Sequence, residues 1–222
     1  DQVVSDFELE KVTTVIMPNI DIHSIESMHE LENKFPDTCK SMMGLHPCSV
    51  KDDYQNQLSI IKDHLQNREY AAVGEIGIDL YWDKSTREIQ IEAFRRQIEW
   101  AKDLNLPVSI HSRDSLDLTI DIVHELQDGR LNGVFHCFNG SEEQAKKIVD
   151  AGFYMGIGGV VTFKNSGVDK TVSELGLSNL VLETDAPYLS PSPYRGKRNN
   201  PLYIPIIAAK IAEVLQCTLK EV

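Results

Sequence analysis

The sequence predicts an α/β protein with parallel strands, and three observations predict it. Short apolar runs alternate with amphipathic helical stripes from end to end, four of those runs finish in a side chain able to bind a metal, and 222 residues suffice for one barrel-sized core. Strand–helix alternation demands crossover connections, hence a parallel sheet, and the length favours a TIM-type (β/α) barrel. No composition break, linker or low-complexity segment interrupts the pattern. Residues 1–222 are therefore expected to form a single domain.

Asp1 to Lys11 is expected to be helical, with Val3, Val4, Phe7 and Leu9 apolar. Thr13 to Met17, β-branched and ended by Pro18 and Asn19, is the first strand. Ile25, Met28 and Leu31 then mark a helix, and Cys39 to Leu45 a strand that delivers His46. Leu58, Ile61 and Leu65 form the next stripe, leading to Ala71, Ala72 and Val73, a strand covered on both faces that gives way to a glycine-flanked Glu75. Ser85 with Glu88 matches a capping box at the head of a helix carrying Ile91, Phe94, Ile98 and Ala101. Pro107 opens the strand Val108 to Ile110, which ends at His111. Leu118, Ile122 and Leu126 form a stripe stopped by Gly129, and Gly133 to Phe135 lead into His136. Ser141 and Gln144 repeat the capping arrangement, with Gly152 closing that helix. The strand from Gly152 to Gly158 ends in Gly156, Gly158 and Gly159, which lack the spacing and lysine of a nucleotide loop and suit tight packing. Val168, Val172 and Leu175 supply a short helix. Leu180 to Leu182 run into Glu183, Thr184 and Asp185, followed by a loop from Ala186 to Pro201 and a helix with Ile204, Ile207, Ile211 and Leu215. Seven strands result, one short of a closed eight-stranded barrel.

Glu75, His111, His136 and Asp185 stand one, one and two strand-plus-helix repeats apart. In a parallel sheet the carboxyl ends of the strands converge on one face, where barrel enzymes place their sites. A lone histidine after a buried strand is more often a hydrogen-bonded structural residue, and a lone glutamate often an ion-pair partner. Four such groups at four strand ends outweigh both readings and point to a metal centre. Mixed nitrogen and oxygen ligands accept zinc, manganese or magnesium. His46 is expected on the same face, where it touches substrate or merely caps its loop.

Hydrophobic residues at 41% and charged residues at 25% describe an ordinary globular protein, with no run long enough for a membrane span and no charged-then-apolar leader. Because the chain starts at Asp1, a removed leader stays open. The formal charge of −12 argues against field-driven binding of a polyanion, so a nucleic acid must be gripped locally, by Arg113 or by Arg195, Lys197 and Arg198. Cys39, Cys48, Cys137 and Cys217 are scattered, which suits free thiols in a reducing cytoplasm.

GEIGIDLYW from Gly74, His111-Ser112-Arg113, HCFNG from His136, ETDAPYL from Glu183 and PYRGKRN from Pro193 together resemble the TatD family of metal-dependent deoxyribonucleases, in order and spacing and over essentially the whole chain. The resemblance implies a TIM-type metallo-hydrolase barrel holding two divalent metals. Glu75 would bridge them, His111 and His136 hold the second, and Asp185 hold the first while positioning the attacking water. Arg113, His46 and the loop from Tyr188 to Asn199, including Arg195, would lie near the substrate. The family's opening strand with its His-x-His pair has no counterpart here. Either that strand and the extreme C-terminus lie outside this chain, or the first site is damaged; the former is expected, since a barrel without its first strand leaves two raw edges.

The expected chemistry is hydrolysis of a phosphodiester by a metal-activated water, with Asp185 as proton acceptor and Arg113 neutralising phosphate charge. Lacking a large basic groove, the chain suits an exonuclease acting on single-stranded or frayed DNA ends. The alternatives are an ester or amide hydrolase, such as an aminoacyl-tRNA deacylase or lactonase, and a non-catalytic binding protein should the first site be truly missing.

Overall fold

A helix carries the chain back between one short apolar run and the next, which is the connection that parallel strand pairing requires. In the computed structural model of the protein, Val4, Phe7 and residues 12–222 are described, and the chain divides into two compact units, Thr14–Val134 and Asp1–Thr13 with Phe135–Val222. The helix expected over Asp1 to Lys11 lies, apart from Val4 and Phe7, outside the described residues.

The first unit contains β1 (Val15–Met17), α1 (Ile25–Lys34), β2 (Cys39–Met43), α2 (Tyr54–Asn67), β3 (Ala72–Asp79), α3 (Arg87–Leu104), β4 (Val108–Arg113) and α4 (Leu116–Leu126). Parallel pairing runs from β1 to β2, β2 to β3 and β3 to β4. Its core is built on Met43, Leu58, Ile61, Val73, Ile76, Phe94, Ile98 and Ile110, all buried. β5 (Gly133–Phe135) spans the division in sequence. The second unit contains α5 (Glu142–Asp150), β6 (Phe153–Ile157), α6 (Val168–Leu175), β7 (Leu180–Leu182) and α7 (Ile204–Leu215), with β6 and β7 parallel. Phe135 meets Phe153 edge to face at 5.5 Å, above a core of Ile148, Met155, Val172, Ile207 and Ile211.

Four local expectations are corrected. β3 does not stop before Glu75 but continues to Asp79, with all eight residues buried, and β4 includes His111, Ser112 and Arg113. Sequence alternation cannot mark the end of a strand that is buried throughout. Between Val73, opposite Val108, and Ile76, opposite Ile110, β3 holds one residue more than β4, a bulge that re-aims the chain at Gly74 and Glu75. The Glu75 amide accordingly donates to the carbonyl of Asn19. Ser85 is not a helix cap either: its amide and hydroxyl both donate to Asp83 Oδ1 inside a 3-10 turn, while Glu88 pairs with Arg87. In α4 the buried side chains are Thr119, Ile120, Ile122 and Val123, a stripe rotated from the expected Leu118 and Leu126. By contrast, Ser141 and Gln144 form the expected capping box on α5.

Two glycines are dictated by close approach. At Gly77, with φ at +142°, an added Cβ would lie 2.0 Å from the His111 carbonyl oxygen; at Gly156 it would lie 2.0 Å from Glu183 Oε2. The second contact bears out tight packing, rather than a phosphate cradle, for the cluster of Gly156, Gly158 and Gly159. No helix among the described residues is long and apolar enough to cross a membrane.

Candidate metal centre

Within the first unit, β2, β3 and β4 bring His46, Glu75 and His111 together, each offering a donor atom within 4.8 Å of the others. His111 Nδ1 stands 3.0 Å from Glu75 Oε1, and His46 Nε2 stands 3.7 Å from the same oxygen. The imidazole rings are 4.5 Å apart. Ligand atoms on a tetrahedral ion with bonds of about 2.1 Å sit about 3.4 Å from one another. The Glu75–His111 spacing, with one nitrogen and one oxygen donor, fits a divalent metal.

The neighbours of each ring decide which nitrogen can act as a ligand. His111 Nε2 lies 2.9 Å from Oδ2 of Asp79, a carboxylate only 3% exposed. Burial pushes the Asp79 carboxyl up, but hydrogen bonds from His111 and the Tyr81 amide outweigh that and hold it at about 2. An ionised Asp79 accepts a hydrogen bond from Nε2–H, which keeps the proton of the neutral ring on Nε2, so the ring presents Nδ1 as a lone-pair donor toward Glu75. Two acceptors facing each other at 3.0 Å repel unless a cation lies between them, a metal or a proton. His46 is wired the opposite way: its Nδ1 accepts the Cys48 amide at 3.1 Å, so the neutral ring carries its proton on Nε2, which faces Glu75 Oε1 at 3.7 Å, too far for a hydrogen bond. That suits His46 to the substrate side rather than to ligation.

Buried amide side chains hold these elements in place. Gln97, on α3, accepts from the Leu45 amide at 2.7 Å and donates to the Leu45 carbonyl at 3.2 Å, clamping the residue before His46. Two turns earlier on the same helix, Gln90 does the same for Asp79, at 2.8 and 3.0 Å. Asn19 donates from its side chain to the Gly44 carbonyl and accepts from Ser24. Sequence reasoning missed Asp79, Gln90, Gln97 and Asn19. For Asp79 the available signal was its place at i+4 from Glu75 in an otherwise apolar segment.

Arg113, at the end of β4, stacks its guanidinium over the Tyr81 ring at 3.7 Å, with Trp82 at 5.5 Å. In the second unit His136 Nδ1 lies 3.4 Å from Glu183 Oε1, which also accepts the Cys137 amide at 2.7 Å. Asp185 follows β7 in the left-handed region, φ +54°. Its loop is clamped by buried Asn199, whose side-chain NH2 donates to the carbonyls of Thr184 and Tyr188. Tyr188 is exposed, and Arg195 stacks over Phe163 at 3.9 Å beside a cavity of about 500 Å³ that includes Asn139 and Lys164. All four cysteines are free thiols.

The family described as TatD related DNase matches residues 1–222. The metal-dependent hydrolase YabD of Bacillus subtilis is 37% identical, over 100% of this chain and 87% of its own length. A Salmonella typhimurium protein named 3'-5' ssDNA/RNA exonuclease TatD is 30% identical over 96% of this chain and 84% of its own length. Among solved structures, the TatD homologue YjjV of Escherichia coli superposes with a TM-score of 0.93 at 28% identity, covering 99% of this chain and 85% of YjjV. The TIM-type α/β fold class expected from the sequence agrees with that likeness.

Proposed function

Because the chain belongs to the TatD related DNase family and is a metal-dependent hydrolase acting on ester bonds, we propose that it cleaves phosphodiester bonds in DNA, removing nucleotides from single-stranded or frayed ends. The observation that carries this is the Glu75–His111 pair, two acceptor atoms 3.0 Å apart with Asp79 fixing the histidine's tautomer. A further support is the exonuclease name of the Salmonella relative.

In this proposal residues 1–222 act as one catalytic domain and use two divalent ions, magnesium, manganese or zinc, with Glu75, His111, His136 and Asp185 as ligands. Such ions supply Lewis acidity, lowering the pKa of water to about 7 and neutralising charge on phosphoryl oxygens. Glu75 contributes a buried negative charge that draws the cations in, and His111 contributes Nδ1. Asp185 accepts the proton of the attacking water. His46 donates from Nε2 to a phosphate oxygen, and Arg113 balances charge that grows there. Tyr188 and Arg195 lie along the substrate, and the enzyme works in the cytoplasm.

The test is hydrolysis of a labelled single-stranded oligonucleotide by the metal-loaded protein. Shortening from an end is expected, with loss of activity on chelation and in Glu75→Ala and Asp185→Ala. Activity that survives chelation or either substitution would refute the assignment. A parallel panel of aminoacyl esters and lactones separates phosphodiester from carbonyl hydrolysis, since turnover confined to that panel replaces the nuclease reading with an esterase one.

A further inference from the structure

Tyr81 and Trp82 close the GEIGIDLYW segment, and no step of the proposed hydrolysis uses them. Both are open to solvent, Tyr81 at 51% and Trp82 at 71% exposure, among the most exposed large hydrophobic side chains described. Their rings meet edge to face at 4.8 Å and an interplanar angle of 89°, while the Arg113 guanidinium covers the Tyr81 ring at 3.7 Å. Two adjacent aromatic rings left in water contribute little to a core, yet they are held rather than loose. The Tyr81 amide donates to Asp79 Oδ1 at 3.0 Å, and the Leu80 amide to the Arg113 carbonyl at 2.9 Å. The same Asp79 carboxylate binds His111 through its other oxygen. The aromatic pair is thus tied through one side chain to the Glu75–His111 centre.

We propose that Trp82 and Tyr81 form a stacking platform for an unpaired nucleobase of single-stranded DNA, with Arg113 meeting the adjoining phosphate. This rests on the nuclease reading of the centre and names how the strand is gripped. A planar base stacks on an exposed aromatic face whatever its sequence, and an arginine beside the rings adds a cation where the backbone charge runs. In a chain of net charge −12, such local grip replaces the broad basic groove that is missing from the sequence. The occupant is single-stranded, because a base in a duplex has both faces covered by its neighbours.

The experiment measures binding rather than turnover. Anisotropy titrations of a short labelled oligothymidylate, and of an abasic deoxyribose-phosphate chain of equal length, are made with chelator present for the wild type, Trp82→Ala and Trp82→Phe. The wild type is expected to bind the thymidylate roughly ten-fold more tightly than the abasic chain, the scale of one base–aromatic stack. Trp82→Ala should lose that preference by weakening the thymidylate complex, and Trp82→Phe should keep most of it. A wild type that binds neither chain or does not distinguish them, or a Trp82→Ala variant with undiminished preference, would overturn the platform. Cleavage of the same thymidylate with metal restored is scored separately. Base-dependent binding without cleavage leaves the platform standing and removes the nuclease activity; cleavage without base-dependent binding does the reverse.

Discussion

Asp79→Asn alters a single atom group and should disable His111 as a ligand. In the native site Oδ1 accepts the Tyr81 amide at 3.0 Å and Oδ2 faces His111 Nε2 at 2.9 Å. After the substitution the side-chain oxygen stays on the Tyr81 amide, which can only donate, so the new NH2 group turns toward Nε2. Nε2 then accepts, the imidazole proton moves to Nδ1, and the atom 3.0 Å from Glu75 loses its lone pair to that proton. A hydrogen bond to a charged group contributes about 1.5–3 kcal/mol. Converted, that is about a ten- to hundred-fold loss of metal affinity, the range seen when the carboxylate behind a ligating histidine is removed. Isothermal titration of the metal-free protein with manganese or zinc reads this directly, and kcat/KM should fall in parallel. Asp79→Ala, which places no NH2 beside the ring, should lose less affinity than Asp79→Asn despite the larger deletion. Metal affinity in Asp79→Asn within two-fold of wild type would refute the tautomer reasoning.

Three further outcomes follow from the same contacts. Gln97→Leu strips both hydrogen bonds from the buried Leu45 backbone and should cost about 2–4 kcal/mol in guanidinium unfolding, while also lowering kcat/KM through displacement of His46. Glu32 accepts from the Ser41 amide and the Arg68 guanidinium; burial raises its pKa, but these bonds outweigh it and the carboxyl sits below its ordinary 4.5. The stability it supplies is therefore complete above pH 4.5 and fades as pH falls through its depressed value, so wild type and Glu32→Gln should differ in melting temperature at neutral pH and converge in acid. Gly156→Ala should destabilise by about 1–3 kcal/mol, because the new methyl meets the Glu183 carboxylate; an unchanged unfolding midpoint would show that Glu183 can move aside freely.

The order of strands and helices was legible because each apolar run is short and each helix shows one apolar stripe; His111, His136 and Asp185 stood out as candidates because each follows an apolar run, and Glu75 because it is a charge inside one. Asp79 was not visible as a partner of His111, since the expected loop after Glu75 left no strand to carry it. Gln90 and Gln97 read as ordinary polar positions of an amphipathic helix. Their burial is understandable only once the backbone groups of Asp79 and Leu45 are seen to need partners. Ser85 shows the opposite failure, a capping pattern overridden by Asp83 two residues earlier, whose carboxylate is the stronger acceptor.

What the linear order of residues settled by itself is the alternation of strands with helices and the types of side chain available for chemistry, because both follow from local periodicity and composition. What only the folded chain decided is how those side chains are paired. Which nitrogen of His111 faces Glu75, which way His46 is protonated and where Arg113 rests depend on contacts between residues far apart in sequence. Those contacts are set by the bulge in β3, by the register of β3 against β4 and by the buried amides of α3. Hydrogen-bond direction is a property of such pairs, and no single position in the sequence carries it.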